Sequence, residues 1–285
     1  MNRVFMDTSL QRTFENKGYV VIPSLLTGEN ILNLKGLSVQ FEKQFEGTFH
    51  TTHFSTNIDY KQQVHDTISN QAFPKLSPFL NDFIPLFGNF MIKNADGKTS
   101  MDLHADWTYV DETKHTSAAV WVPLIDVNEE NGCFGLIERS HQITNDIRGP
   151  RIRQSTQQND LAWSKKHGKL IPLKAGDAII YNHRLLHFSP PNKSKIPRPA
   201  FNLTVVPKHV PLVHYCMPEC TDEILMYEVQ DSQFYILYNH FQKPETGTLI
   251  RTLPKNTVKF IDPLMENFRA IQFKNRIKNW LEWKG

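Results

Sequence analysis

Within Met101–Asp111, MDLHADWTYVD, a histidine and a carboxylate stand two residues apart, His104 and Asp106. The run reads as strand, and along a strand residues i and i+2 project to one face. The two side chains are therefore aimed at one spot. An imidazole and a carboxylate converging from a rigid element are two of the three protein ligands of a 2-His-1-carboxylate facial triad, which leaves adjacent positions open on iron(II) for a co-substrate and dioxygen. An ordinary buried His–Asp hydrogen bond would use the same pair, so a third ligand has to decide.

The segment Gly176–Arg198 supplies the candidates: a Gly176-Asp177 turn, a strand, His183, His187, Ser189 and Arg198. In a rolled-up sheet a late strand lies opposite an early one, which suits a third ligand. His183 and His187 are four residues apart; on one strand they would share a face, so periodicity does not choose between them. Arg198 leads into an apolar strand, and its planar fork suits bidentate capture of a carboxylate. Ser189 carries a hydroxyl that can serve the same carboxylate. Zinc also accepts histidine and carboxylate with a position left open, so a metal-dependent isomerase or hydrolase is a second chemistry. A cupin-like binding module with a satisfied His–Asp pair is the non-catalytic reading. A buried guanidinium with no acid partner argues against both and for a bound dicarboxylate.

The elements that must hold these residues are mostly short strands. Tyr19–Ile22, Phe90–Lys93, Ser117–Leu124, Phe134–Ile137, Ala178–Tyr181 and Phe201–Val206 are punctuated by Gly, Asn, Asp and Pro, the pattern of an all-β barrel or sandwich. Ahead of them, a helix end at Gly18 precedes the first strand. Thr27 reads as an N-cap, followed by Ile31, Leu34, Leu37, Phe41 and Phe45 at helical spacing. Residues Gly47–Lys75 follow neither period and read as loops with a short helix, with His50, His53 and His65 as surface or substrate-loop residues. Trp107 and Tyr109 read as core that can also wall a substrate. After Pro207 we expect a loop region, a helix around Thr221–Tyr238 and an amphipathic stretch at Leu264–Trp283. No linker or repeat interrupts the chain, so one domain over 1–285 is expected, with a β core at about 87–207, a flank at 1–86 and a helical extension at 208–285.

Composition narrows the partners. With 32 Lys and Arg against 29 Asp and Glu, the net charge of +3 is too small to imply nucleic acid or a membrane surface. The 40% apolar content is enough for a globular core without an apolar run long enough to span a bilayer. Cys133, Cys216 and Cys220 are an odd set without zinc spacing. A small-molecule substrate and a cytoplasmic location are the expectations; oligomeric state is not readable.

Several motifs occur together in one order: Phe14–Leu26 (FENKGYVVIPSLL), Leu103–Asp106 (LHAD), Val120–Leu124 (VWVPL), Asn131–Cys133 (NGC), Ser140-His141 and Gly176–Arg198. In this the chain resembles the phytanoyl-CoA dioxygenase family of iron(II)/2-oxoglutarate oxygenases. The resemblance implies a mainly β fold, a double-stranded β-helix (a cupin-like jelly roll) with flanking α-helices. It implies that His104, Asp106 and His187 bind Fe(2+), with His187 chosen because His187-Phe-Ser189-Pro-Pro-Asn192 matches the family's His-x-Ser-x-x-Asn. It further implies 2-oxoglutarate gripped by Arg198 and Ser189, an aromatic wall at Trp121, a lysine at Lys93, O2 as oxidant, and hydroxylation with release of succinate and CO2. Where the family usually carries Gly-Ser-His, this chain has Arg139-Ser140-His141, which predicts an altered turn at the pocket mouth.

Overall fold

Along Ala118–Pro123 every residue is buried, with Val120 and Val122 facing one layer and Ala119 and Trp121 the other. A strand covered on both faces belongs at the centre of a sheet. The computed structural model describes residues 2–42, 48–144, 146–152, 154, 161–237, 244 and 247–254. Its strands are β1 (Tyr19–Ile22), β2 (Phe49–Thr51), β3 (Phe83–Lys93), β4 (Met101–His104), β5 (Ala118–Pro123), β6 (Phe134–Leu136), β7 (Lys169–Ile171), β8 (Ala178–Asn182), β9 (His187–Ser189), β10 (Arg198–Pro207), β11 (Leu212–Cys216), β12 (Glu223–Val229) and β13 (Thr248–Pro254). The main sheet runs β1-β8-β5-β10-β3-β2 and the second β4-β9-β6-β7, both with antiparallel pairing throughout. This is the mainly β, jelly-roll architecture with flanking helices. The strands β11-β12-β13 form a third sheet.

One face of the main sheet is covered by helices α1 (Thr8–Lys17), α2 (Gly28–Glu42) and α3 (Ile58–Leu76), which bury Phe14, Leu34, Val64 and Ile68 against Val20, Phe90, Val120, Ile180 and Phe201. The other face turns Trp121, Ile179 and Tyr181 toward Phe134 and Leu136 of the second sheet. Side-chain alternation thus fixes which residues of β3, β5, β8 and β10 look into the space between the sheets.

The long helix α3 replaces the loops and short helix expected over Gly47–Lys75. Its buried positions Tyr60, Val64, Ile68, Ala72 and Leu76 recur every four residues in single file. So narrow a stripe, diluted by polar neighbours, gives little helical periodicity. The helix starts where Asn57 accepts the Tyr60 N–H. It lies so near β3 that a Cβ on Gly88 would meet Ile68 at 3.0 Å. The helix expected around Thr221–Tyr238 is instead β12 followed by the short α5 (Gln233–Leu237), α4 being Leu161–His167. Pairing of β12 with β11 and β13 overrides its weak local preference. Leu264–Trp283 and Phe45 lie outside the described residues. Among the described residues no helix is long and apolar enough to cross a membrane.

Candidate metal centre and its cleft

β4 pairs with β9 so that His104 stands directly opposite His187, with an irregularity in register between Met101 and His104. The strand ends at His104, shorter than the run the sequence predicts, and Asp106 lies in irregular chain just beyond it. Convergence survives the shorter strand. Asp106 Oδ1 is 3.6 Å from His187 Nε2 and 4.0 Å from His104 Nε2, and one donor atom from each of the three lies within 4.8 Å of the others. A single octahedral ion with ~2.1 Å bonds holds adjacent donors ~3 Å apart, so small side-chain shifts bring all three onto one ion.

The surroundings preset these donors. His104 Nδ1 lies 2.7 Å from the Asp102 carbonyl and His187 Nδ1 3.0 Å from that of Leu185. A carbonyl only accepts, so each Nδ1 carries the proton and each Nε2 presents its lone pair. The Tyr181 hydroxyl donates to Asp106 Oδ2 at 2.7 Å, leaving Oδ1 for the shared point. Burial pushes the Asp106 carboxyl up, but His187, His183 and His104 with the Tyr181 hydroxyl together hold it below the usual carboxylate range. Burial, with His104 beside it, lowers His187 to about 4, so its ring is neutral at neutral pH, the form that binds metal. Its face stacks on Phe134 at 5.2 Å. Two oriented imidazoles with an ionised carboxylate are the donor chemistry that fits iron(II).

From this point a pocket runs between the sheets, past Trp121, Phe134 and Ser189, to Arg198. Arg198 is 2% exposed, its Nε and Nη1 have no hydrogen-bond partner, and its guanidinium lies 5.4 Å from the centre of the Trp121 ring. Lys93 faces Arg198 across the β3–β10 ladder and stands behind Ser189, donating to Ser189 Oγ at 2.6 Å and to the Pro190 carbonyl at 2.7 Å. Burial, then the nearby Arg198 charge, lower the Lys93 amine to about 7. His183 is elsewhere. β8 ends at Asn182 and β9 begins at His187, so the two histidines do not share a strand: the chain turns between the sheets. His183 is fully buried with Nδ1 2.6 Å from Ser117 Oγ.

Residues 35–200 match the phytanoyl-CoA dioxygenase (PhyH) family. The chain belongs to the phytanoyl-CoA dioxygenase family. A phytanoyl-CoA dioxygenase domain-containing protein 1 homolog of Dictyostelium discoideum is 29% identical over 153 residues, 51% of this chain and 52% of that protein, so the match spans about half the length of this curated relative. Among solved structures, HygX from Streptomyces hygroscopicus with nickel and 2-oxoglutarate bound aligns at TM-score 0.54 with 14% identity, over 72% of this chain and 88% of HygX. The epimerase SnoN, in complex with Fe3+, alpha ketoglutarate and nogalamycin RO, aligns at 0.51 with 17% identity, over 72% and 84%. The carbocyclase SnoK from nogalamycin biosynthesis aligns at 0.50 with 18% identity, over 86% and 97%. These likenesses speak for the fold.

Arg139 stands where the phytanoyl-CoA dioxygenase pattern usually carries glycine. Arg139 sits at φ 69°, the left-handed conformation glycine adopts freely. The turn packs against α1 rather than the pocket mouth: the Arg139 N–H donates to the Lys17 carbonyl, and His141 Nε2 is 3.0 Å from that of Glu15. A wider cleft, not lined by Arg198, shares His104, Asp106 and Asn202 with the inner pocket and is walled by His53, Phe54, Phe87, Trp107 and Tyr109. Trp107 and Tyr109 thus serve as wall while Tyr109 also belongs to the core beneath. His53 is one of three histidines read as surface or substrate-loop residues, and it lines this cleft. His65 instead accepts the Gly88 N–H. Sequence reasoning passed over Tyr181, which reads as one more apolar strand residue, and Gln154, which carries no sequence signal.

Proposed function

We propose that this protein is an iron(II)/2-oxoglutarate-dependent dioxygenase that hydroxylates an unactivated C–H bond of a small organic or carrier-bound substrate, with His104, Asp106 and His187 as metal ligands and 1–285 as one oxygenase domain. The observation that carries it is the pocket with three metal donors at one end and, at the other, a buried guanidinium with two nitrogens unpaired. An isolated buried cation is unfavourable unless it is paired, and a linear dicarboxylate spanning the pocket supplies the pair.

When bound, iron(II) with 2-oxoglutarate and dioxygen supplies the oxidising chemistry. The protein's residues do the rest. Arg198, with the Ser189 hydroxyl oriented by Lys93, holds the distal carboxylate and so sets the reach of the keto acid end toward the triad. Trp121 and Phe134 exclude water from the inner pocket. The aromatic wall at Phe87, Trp107 and Tyr109 orders substrate in the wider cleft, a positioning effect worth several kcal/mol when it yields a near-attack geometry. The named activities of SnoN and SnoK, an epimerase and a carbocyclase, are two other outcomes available to this fold. The Asp106 ligand, which in halogenating members gives way to a small residue, favours hydroxylation over halogenation.

The test is succinate release from 2-oxoglutarate by the aerobic protein with iron(II), screened over free amino acids, carrier-bound acyl groups, lipids and natural-product intermediates. We expect iron-dependent succinate formation that rises with one substrate class and yields a product one oxygen heavier. Absence of iron-dependent succinate under every condition would refute the proposal.

A further inference from the structure

The residue between the two early ligands, Ala105, is where β4 stops, yet its backbone is buried and both its polar groups are paired. Both partners are on one side chain. The Ala105 N–H donates to Gln154 Oε1 at 2.8 Å, and Gln154 Nε2 donates to the Ala105 carbonyl at 2.8 Å. A carboxamide offers a donor and an acceptor in the arrangement of a peptide unit, so Gln154 continues the sheet by one residue in place of a strand. The next carbonyl, that of Asp106, accepts from Arg148 Nε, and the Thr108 N–H donates to the Arg148 carbonyl at 3.1 Å. Arg148 is fully buried and ion-paired to Glu112 at 2.6 Å.

We propose that Gln154 is a positioning residue for the metal centre: its two bonds to Ala105 fix the backbone torsions between His104 and Asp106 and so hold the imidazole and carboxylate in register for one ion. The proposal rests on the metal-ligand reading above. It makes no use of Gln154 as a ligand. Beyond β4 nothing regular holds this backbone, and rotation there swings Asp106 Oδ1 away from His187, which approaches from the separate strand β9. Outer contacts of this kind typically account for 10–100-fold in metal affinity.

The experiment is isothermal titration of the metal-free full chain with manganese(II), an air-stable stand-in for iron(II), on wild type, Gln154→Ala, Gln154→Met and Gln154→Glu, with the melting temperature of each metal-free protein recorded beside it. Methionine keeps the length and most of the volume of glutamine while removing both hydrogen bonds, so it separates positioning from packing even where alanine fails to fold. Glutamate keeps the acceptor for the Ala105 N–H and loses the donor. We expect one manganese(II) per wild-type chain, a dissociation constant 10–100-fold higher for Gln154→Met, and an intermediate value for Gln154→Glu. If Gln154→Met binds within twofold of wild type, the positioning role is wrong while the metal reading stands. If wild type takes up no stoichiometric manganese(II), both fall together.

Discussion

Replacing Arg198 with methionine should make the ligand-free protein more stable and deprive it of 2-oxoglutarate, two effects of opposite sign from one change. The guanidinium is 2% exposed, and burial lowers its pKa well below the usual arginine value, to about 10. At ~1.4 kcal/mol per pKa unit, keeping it charged in the empty pocket costs roughly 3 kcal/mol. Its stack on Trp121 returns about 1 kcal/mol. Methionine fills similar volume without charge, so the net gain is ~1–2 kcal/mol, or ~3–6 °C in melting temperature for a chain of this size. Both pKa values lie far above neutrality, so the cation is present in the folded and unfolded states alike. The unfolded state binds the extra proton only above about pH 10, and stability recovers only there; between about pH 6 and 9 the gain from Arg198→Met should be flat. The opposite change appears on adding ligand. At 100 times its dissociation constant 2-oxoglutarate should stabilise wild type by ~2.7 kcal/mol, and the variant hardly at all. Thermal melts with manganese(II) present, with and without 2-oxoglutarate, read both effects. A variant that melts lower than wild type without ligand, or that keeps the wild-type ligand shift, would refute the assignment of Arg198 as an unpaired cation awaiting a dicarboxylate.

Three further outcomes follow from named contacts. Tyr181→Phe removes the hydroxyl that occupies Asp106 Oδ2; manganese(II) affinity should fall by ~10-fold, and an unchanged affinity would mean Asp106 is oriented without it. Arg139→Gly should raise the melting temperature by a few degrees, because Arg139 holds a left-handed conformation that costs a non-glycine residue ~1 kcal/mol; a lower melting temperature would show that its side chain outweighs the backbone. Burial lowers His141 and His50 to about 4, below the unfolded value of ~6.5. The unfolded chain therefore takes up their protons first, and stability should decline as pH falls from about 6.5 toward 4. His141→Gln should flatten that decline, measured as chemical-denaturation midpoints against pH, and identical slopes would contradict it.

Much of the site was readable because its residues sit where strand periodicity and motif order agree. Val120 and Trp121 alternate across a central strand, and His187-Phe-Ser189 forms a strand followed by the Pro190-Pro191 pair, so the His187 ring and the Ser189 hydroxyl stand on one face. The choice between His183 and His187 was not readable from periodicity, since it depends on a turn that carries the chain from one sheet to the other after Asn182. The sequence predicts a longer β4 than forms: Ala105 and Asp106 keep their places through the side chains of Gln154 and Arg148, contacts more than 40 residues away that leave no local pattern. The same holds for α3, whose single-file stripe gives a weak moment, and for β12, whose strand form depends on partners on both edges. Arg139 shows the converse. A residue type that disfavours the left-handed conformation nonetheless adopts it where its turn packs against α1, a contact that the local sequence does not reveal.

The central claim is that His104, Asp106 and His187 hold one iron(II) while His183 does not. Metal analysis after anaerobic iron(II) loading and desalting, on wild type, Asp106→Ala, His187→Ala and His183→Ala, tests it most directly. The account predicts one iron per chain for wild type and for His183→Ala, and less than a tenth of that for Asp106→Ala and His187→Ala. Full iron content in either of the latter two, or its loss in His183→Ala with a native melting profile, would contradict it.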